Sequence, residues 1–126
     1  MTKIVMLNEE LGSQMQIYLA LCDSYKIEIA ENVESAMYLL RKMRPEILLM
    51  EYDLAQLKSN GKSSIDFIKK VKKKYQDLKI VTILENKDRD LEPVVQANGA
   101  DFVLYKPIKN RKLMMDFRRL AAPAAA

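Results

Sequence analysis

RPEILLMEYDL, residues 44–54, sets the architecture of the chain. Four apolar residues in a row, Ile47 to Met50, follow a proline that ends the preceding helix and run straight into an acid. A short uninterrupted apolar run of this kind is typical of a strand buried on both faces, as in the middle of a parallel sheet. Because sites in open α/β sheets are built at the carboxyl ends of the strands, Glu51 is the first candidate functional residue.

Apolar runs and helical spacings alternate along the rest of the chain. Four further strands are predicted at Lys3–Leu7, Tyr25–Ala30, Lys79–Leu84 and Phe102–Tyr105. The first helical spacing begins at Leu11, and the apolar positions that mark it are Leu11, Met15, Tyr18 or Leu19, and Cys22. Five strands alternating with five helices predict a three-layer α/β fold with a parallel sheet, in one domain over residues 1–120. Residues 121–126 are predicted to be a tail or the start of a linker.

Caps and breakers place the ends of several helices. Asn32 is predicted to cap the second helix, and Asn110 the last. Pro93 is tolerated only in a first turn, so the fourth helix should be short, and Gly99 should close it. The polar segments Ala55 to Ser64 and Glu85 to Asp90 are predicted to be loops, the first of them unusually long.

Composition excludes several classes of function. The chain has 126 residues, one cysteine and no histidine. Without histidine, the chain lacks the commonest metal ligand and the usual general base at neutral pH. This excludes most hydrolase functions and most zinc sites. The single Cys22 excludes an internal disulfide framework and fits a reducing cytosol, so a cytoplasmic location is expected. No apolar run approaches the roughly 20 residues of a membrane helix, and no membrane partner is expected.

The net charge of +4 owes much to a lysine run between positions 69 and 74. Such a run is typical of the solvated face of a helix, and no aromatic platform or nucleic-acid motif accompanies it. No direct nucleic-acid binding by this domain is therefore expected.

Four motifs together carry a resemblance. IVMLNEE (residues 4–10), RPEILLME (residues 44–51), Gly99-Ala100-Asp101 and Lys106-Pro107 stand in an order and at separations that resemble the receiver domain of bacterial response regulators, CheY-like proteins of two-component signalling. The resemblance covers residues 3 to 120. It implies a flavodoxin-like sheet of order 2-1-3-4-5, and an aspartate that accepts a phosphoryl group from a histidine kinase with Mg²⁺ bound. It also implies a lysine that contacts the phosphoryl group and a Lys-Pro peptide that is commonly cis.

The chain departs from this pattern at the positions that carry the chemistry. Glu51 stands where the resemblance implies the phosphoacceptor aspartate, and Asn8 replaces the first of two metal-binding acids, while Glu9 keeps the second. Leu84 falls on the position of a Ser or Thr, and Val103 on that of a switch aromatic, although Phe102 and Tyr105 lie nearby. Of the four motifs, only the Lys106-Pro107 pair is intact.

These departures predict an atypical receiver, or pseudo-receiver, that is not an enzyme and does not depend on phosphorylation. Phosphoryl transfer relies on positioning, and a glutamate carries its carboxylate one methylene too far. Mg²⁺ needs oxygen ligands in near-octahedral geometry. Glu9, Glu51 and the backbone carbonyl of Asp53 are the candidate ligands for a weak Mg²⁺ site, and no cofactor is expected to be required.

Two roles for Glu51 remain open: its carboxylate mimics a phosphoryl group by reaching Lys106, or it only neutralises that lysine. The predicted function is a protein-interaction module that binds a histidine kinase or downstream regulator. The face would be formed by the fourth helix, the fifth strand and the fifth helix, with Phe102, Tyr105 and Arg111.

One alternative is a working phosphorelay receiver that uses Glu51 or Asp53 as acceptor, and a homodimer is left open. A flavin-carrier function is set aside because Asn8-Glu9-Glu10 would repel a phosphate.

Overall fold

The structure, a computed structural model, describes residues 1–121. Its elements, in chain order, are β1 (Lys3–Leu7), α1 (Leu11–Leu21), β2 (Lys26–Ala30), α2 (Val33–Met43), β3 (Ile47–Glu51), α3 (Ala55–Ser59), α4 (Ser64–Lys74), β4 (Lys79–Leu84), a 3-10 helix (Asn86–Leu91), α5 (Glu92–Ala97), β5 (Phe102–Tyr105) and α6 (Asn110–Ala121). Apart from Ala121, which ends α6, the predicted tail lies outside the described residues.

The five strands form one parallel sheet in the order β2-β1-β3-β4-β5, as predicted. Strand β3 lies in the middle, where Leu48 pairs with Val5 of β1 and with Ile80 of β4. All five of its residues are buried, which agrees with its unbroken apolar sequence. Glu51 therefore ends a strand that is enclosed on both faces.

Helices cover both faces of the sheet. On one face, α1 and α6 pack through Ile17 and Phe117 against a cluster that includes Leu49. On the other face, α2, α4 and α5 pack through residues such as Leu40 and Ile68. This is the predicted three-layer α/β fold.

Both segments predicted as loops are partly helical. Residues 55–59 form the short helix α3, and residues 86–91 form a 3-10 helix. Each of these two short helices buries at most one side chain. Neither therefore needs the repeated apolar spacing by which longer helices are predicted. Residues 1–121 therefore contain six α-helices, and the predicted fourth and fifth helices are α5 and α6.

The buried face of α1 is not the one that its apolar spacing suggested. The structure buries Ser13, Ile17 and Leu21, whereas Leu11 and Met15 are exposed. This helix is apolar on most of its circumference, so a spacing of four residues marks its outer face as well as its inner one.

The predicted helix ends are largely confirmed. Asn32 caps α2 by accepting a hydrogen bond from the Ser35 amide, 2.8 Å long. Pro93 lies in the first turn of the six-residue α5, and Gly99 follows that helix with a φ of +128°. The Lys106-Pro107 peptide is cis. The exception is Asn110, predicted as the cap of the last helix, which is instead the first residue of α6. Within residues 1–121, no helix has the length and apolar character needed to cross a membrane.

Candidate functional site

The candidate site lies where the carboxyl ends of β1, β3 and β5 meet. Glu51 is the last residue of β3, and Lys106 follows β5 directly. Asn8, Glu9 and Glu10 form the turn between β1 and α1. Parallel strands all end at the same edge of the sheet, so these five residues converge there.

Lys106 is held between two carboxylates. Its ammonium group donates hydrogen bonds to Glu51 and, over 2.8 Å, to Glu10. The Glu51 side chain is 7% exposed and that of Lys106 19%, whereas Glu10 is 56% exposed. A nearly buried carboxylate needs a partner with the opposite charge, and Lys106 provides it. The protein itself thus supplies two anionic partners for this ammonium group.

This arrangement shifts the pKa values of Lys106 and Glu10. Burial by itself lowers the pKa of Lys106, but hydrogen bonds and charge from Glu10 and Glu51 outweigh burial and raise it above its ordinary value. The hydrogen bond from Lys106, followed by its positive charge, lowers the pKa of the Glu10 carboxyl. Lys106 and Glu10 therefore both favour their charged forms at neutral pH.

Asn8 organises the turn rather than facing the lysine. Its side-chain amide donates to the Ser13 hydroxyl over 3.0 Å, and its side-chain oxygen accepts from the Glu10 amide over 2.8 Å. Gln14 donates to the Asn8 backbone carbonyl over 3.1 Å. These bonds within the turn present the Glu10 side chain to Lys106.

The Glu9 side chain does not pair with Lys106 but caps α3. Its carboxylate accepts hydrogen bonds from the amides of Ala55 (2.6 Å) and Gln56 (3.1 Å). Helix α3 has no cap from its own N-cap residue, Leu54. Glu9 supplies that cap from a distant part of the sequence, with a charge that also favours the helix dipole.

The two carboxylates expected to bind Mg²⁺ take part in other contacts: Glu9 caps α3 and Glu51 pairs with Lys106. The ligand expected from Asp53 is its backbone carbonyl, and the exposed Asp53 side chain pairs with Lys58 of α3. Within residues 1–121 no three acidic, cysteine or histidine side chains lie close enough together to hold a metal. Since Mg²⁺ requires several oxygen donors in one octahedral arrangement, this donor set does not fit it.

The positions of the expected hydroxyl and aromatic residues belong to the core. Leu84 and Val103 are both buried in the cluster beneath α2, α4 and α5. The hydroxyl nearest in sequence is that of Thr82, on the same face of β4 and two residues deeper. Thr82 was not singled out from the sequence, and among the described side chains its buried hydroxyl has no hydrogen-bond partner.

Tyr105 points to the same face of β5 as Val103 and is fixed by two charged residues. Its hydroxyl donates to the Glu92 carboxylate, and the Arg89 guanidinium lies 4.1 Å from the centre of its ring. Burial, followed by the hydrogen bond to Glu92, raises the pKa of Tyr105 to about 12. Phe102 and Tyr105 line a groove of about 580 Å³ between α5 and α6, whereas Arg111, also predicted on this face, is not part of its lining.

Several residues of this region were missed by the sequence analysis. Glu10 is the main example, because the family pattern directed attention to Glu9, the preceding acid. In the sequence, Glu10 is marked only by being the third consecutive polar residue after β1. Arg89 and Glu92 gave no signal of their own, since their contacts with Tyr105 depend on the path of the 3-10 helix.

The structure is similar to those of response regulator receiver domains. No protein-family model matches the chain, and no curated protein matches it in sequence. The receiver domain of a response regulator from Bacteroides fragilis is 23% identical, with a TM-score of 0.85, over 98% of this chain and 100% of that one. CheY4 of Vibrio cholerae is 19% identical, with a TM-score of 0.82, over 95% and 98%. NtrX from Brucella abortus is 18% identical over 94% of this chain, with a TM-score of 0.83.

These similarities establish the receiver-type fold, with its sheet order and its layers. The chain spans only 27% of the length of NtrX, but almost the whole length of the other two proteins. It therefore corresponds to a receiver-sized unit.

The ion-pair geometry predicts unequal costs for removing either partner. Lys106→Met leaves the nearly buried Glu51 carboxylate without a cation and should lower the free energy of unfolding by about 3 kcal/mol. Glu51→Gln leaves Lys106 paired with Glu10 and should cost about 1 kcal/mol. Urea denaturation at neutral pH measures both. Equal losses in the two variants would contradict this account of the site.

The lowered pKa of Glu10 predicts a pH-dependent contribution to stability. Because its folded-state pKa lies below the ordinary value of 4.5, the stabilisation is present above that pH and is lost as the pH falls through the folded-state pKa. Glu10→Gln should cost about 0.5 kcal/mol at neutral pH, as is usual for an exposed pair. Below about pH 4.5 the difference from wild type should shrink. Urea unfolding across this range, with Glu31→Gln as control, checks the trend; a constant difference would refute it.

The cap on α3 predicts a local effect of Glu9. Glu9→Ala removes the acceptor for two helix amides and should cost about 1 kcal/mol of stability. Hydrogen exchange at Ala55 and Gln56 should accelerate, while exchange in the central strand β3 should change only by the loss of global stability. Glu31→Ala, which removes another exposed acid, serves as the control. Unchanged exchange at both amides would show that Glu9 does not hold the helix.

Proposed function

We propose that this chain is a receiver-type signalling domain that acts as a protein-interaction module without accepting a phosphoryl group. The observation that carries the proposal is the pairing of Lys106 with both Glu51 and Glu10. By the family resemblance, this lysine would contact a phosphoryl group on residue 51. Here two carboxylates already use its charge.

The chemistry of phosphoryl transfer supports the same conclusion. The transfer depends on in-line positioning and on cations that neutralise the charge on the phosphoryl group. Glu51 is longer than the aspartate of the family, Asn8 is engaged in its own turn, and Glu9 is engaged at α3. We therefore propose no role for Mg²⁺ at this site. The protein is accordingly proposed not to be an enzyme.

Glu51 is best understood as the permanent neutralising partner of Lys106. A mimic of the phosphorylated state would have to act on a relay of hydroxyl and aromatic side chains. Leu84 and Val103 occupy those positions as core residues. Tyr105 is anchored by Glu92 and Arg89, neither of which contacts Glu51.

The groove between α5 and α6 is the proposed binding face. Its lining combines the aromatic rings of Phe102 and Tyr105 with basic side chains, including Arg89, Lys109 and Lys112, against the single acid Glu92. This combination favours an acidic segment that carries apolar side chains. A histidine kinase or a downstream regulator that presents such a segment is the proposed class of partner.

A phosphorylation assay tests the proposal. The protein is incubated with Mg²⁺ and acetyl phosphate, and its intact mass is followed together with amide NMR shifts around residues 51 and 106. Because Lys106 is already neutralised and no acceptor is correctly placed, no phosphoryl adduct is expected, and beryllofluoride should leave the spectrum unchanged.

An aspartate-containing receiver domain treated in parallel shows that the donor is active. The Asn8→Asp/Glu51→Asp variant provides a matched comparison, since it restores both family acids and should acquire measurable phosphorylation. Stoichiometric modification of the wild-type chain, at Glu51 or at Asp53, would overturn the proposal in favour of a working phosphorelay receiver.

A further inference from the structure

A groove of about 770 Å³ lies at the amino edge of the sheet, opposite to the candidate site. Residues at the starts of three strands line it, namely Thr2 before β1, Glu46 before β3 and Lys79 in β4. Residues at the ends of α2 and α4 line it as well, and Leu120 of α6 reaches it from the other face of the sheet. Small-molecule sites in proteins have volumes of about 300–1,000 Å³, so this amino-edge groove has the size of a ligand site.

Basic side chains predominate around the amino-edge groove. Four of them line it and are exposed: Arg41 and Arg44 at the end of α2, Lys74 at the end of α4, and Lys79 at the start of β4. Within residues 1–121, none of the four forms an ion pair. Two acids, Glu46 and Asp77, also line the groove. A concave surface with an excess of one charge attracts ligands of the opposite charge, which here means anions.

Helix dipoles account for only part of this positive charge. Three helices, α2, α4 and α6, end at the amino edge because they run antiparallel to the strands, and their last turns carry seven basic residues. The carboxyl end of a helix is equivalent to about half a negative charge, so three ends supply roughly 1.5. Among the seven, Lys72 is the one with a carboxylate partner in the described chain, Asp101 at 2.8 Å. Most of the positive charge at this edge is therefore not neutralised by the fold.

Arg44 has a backbone conformation that is usual for glycine. It is the C-cap residue of α2, with φ 50° and ψ 62° in the left-handed region. Within residues 1–121 it is the one non-glycine residue with a positive φ. Glycine is preferred at such a position because a Cβ atom disfavours this conformation. An arginine at this cost indicates that its side chain has a role, and the side chain lines the amino-edge groove.

We propose that the amino-edge groove binds a mononucleotide. Arg41 and Arg44 supply two guanidinium groups, which match the oxygens of a phosphate group in a bidentate geometry. The buried Leu40 and Leu78 and the half-buried ring of Tyr75 give the groove an apolar floor. A nucleotide base can stack on such a surface while its phosphates face the arginines.

The two acids of the groove favour a nucleotide over a simple anion. Asp77 and Glu46 would repel inorganic phosphate, but their carboxylates can accept hydrogen bonds from the amino groups of a base and the hydroxyls of a ribose. One oxygen of Glu46 accepts a hydrogen bond from the Lys3 amide, 2.6 Å long, which leaves the second oxygen for a ligand. A nucleic-acid strand would extend beyond a groove of this volume.

This inference goes beyond the proposed function and does not depend on it. The residues that line the amino-edge groove lie at the opposite edge of the sheet from Lys106 and Glu51. Nucleotide binding would therefore give the domain a second ligand site, separate from both the ion pair and the groove beside Tyr105.

Calorimetric titration of the wild-type chain with ATP, GTP, CTP and UTP in turn tests the proposal. At least one nucleotide should bind saturably at one site, with an affinity that falls as the salt concentration rises. Inorganic triphosphate, which has the charge but no base or ribose, should bind at least tenfold more weakly. Absence of binding by all four nucleotides would overturn the proposal. Equal affinity for triphosphate, or tighter binding of a DNA duplex, would overturn it too.

A substitution at Arg44 separates ligand binding from stability. Arg44→Asn removes a phosphate-binding group and should weaken nucleotide binding about tenfold. Because asparagine adopts positive φ more readily, the urea midpoint should stay the same or rise. Lys62→Gln also removes one positive charge, at an exposed position before α4 on the carboxyl edge, and should leave the affinity unchanged. An affinity insensitive to Arg44→Asn, or reduced equally by Lys62→Gln, would refute the assignment of the ligand to this groove.

Discussion

The carboxyl edge of the sheet depends on one interaction, the pairing of the Lys106 ammonium group with Glu51 and Glu10. Strand β4 separates β3 from β5, so the Glu51–Lys106 pair joins two strands that are not hydrogen-bonded to each other. Glu10 adds the turn that leads into α1. A carboxylate that ends a fully buried strand has to be neutralised, and one lysine does this while tying three segments together.

The other polar groups at this edge of the sheet also have partners within the chain. Glu9 turns outward and caps α3, and Gln56 of that helix accepts a hydrogen bond from the Val33 amide at the start of α2, 2.7 Å long. The long connection after β3 is thereby fastened to both β1 and α2. The acidic groups that resemble a metal site in the sequence are used as internal supports of the fold.

The sequence predicted what depends on local pattern and missed what depends on tertiary contacts. Apolar runs and breakers identified all five strands, and the cap at Asn32 was correct. Helix α3 was not predicted, because its cap comes from Glu9, 46 residues earlier in the chain. Some of the apolar positions that marked α1 lie on its exposed side, because apolar residues occur on both sides of that helix. The choice between Glu9 and Glu10 was beyond sequence pattern, because the bonds of Asn8 in the turn decide which carboxylate faces Lys106.

Hydrogen bonds connect helix α1, through the site, to the segment beside the groove at Tyr105. Glu10 contacts Lys106 through its side chain, and its backbone carbonyl accepts the first hydrogen bond of α1, from Gln14. Further along α1, Gln16 donates to the Ile108 carbonyl over 2.6 Å, close to the cis Lys106-Pro107 peptide. A partner that displaces α1 would thus act on the segment that positions Lys106, which adjoins the groove beside Tyr105.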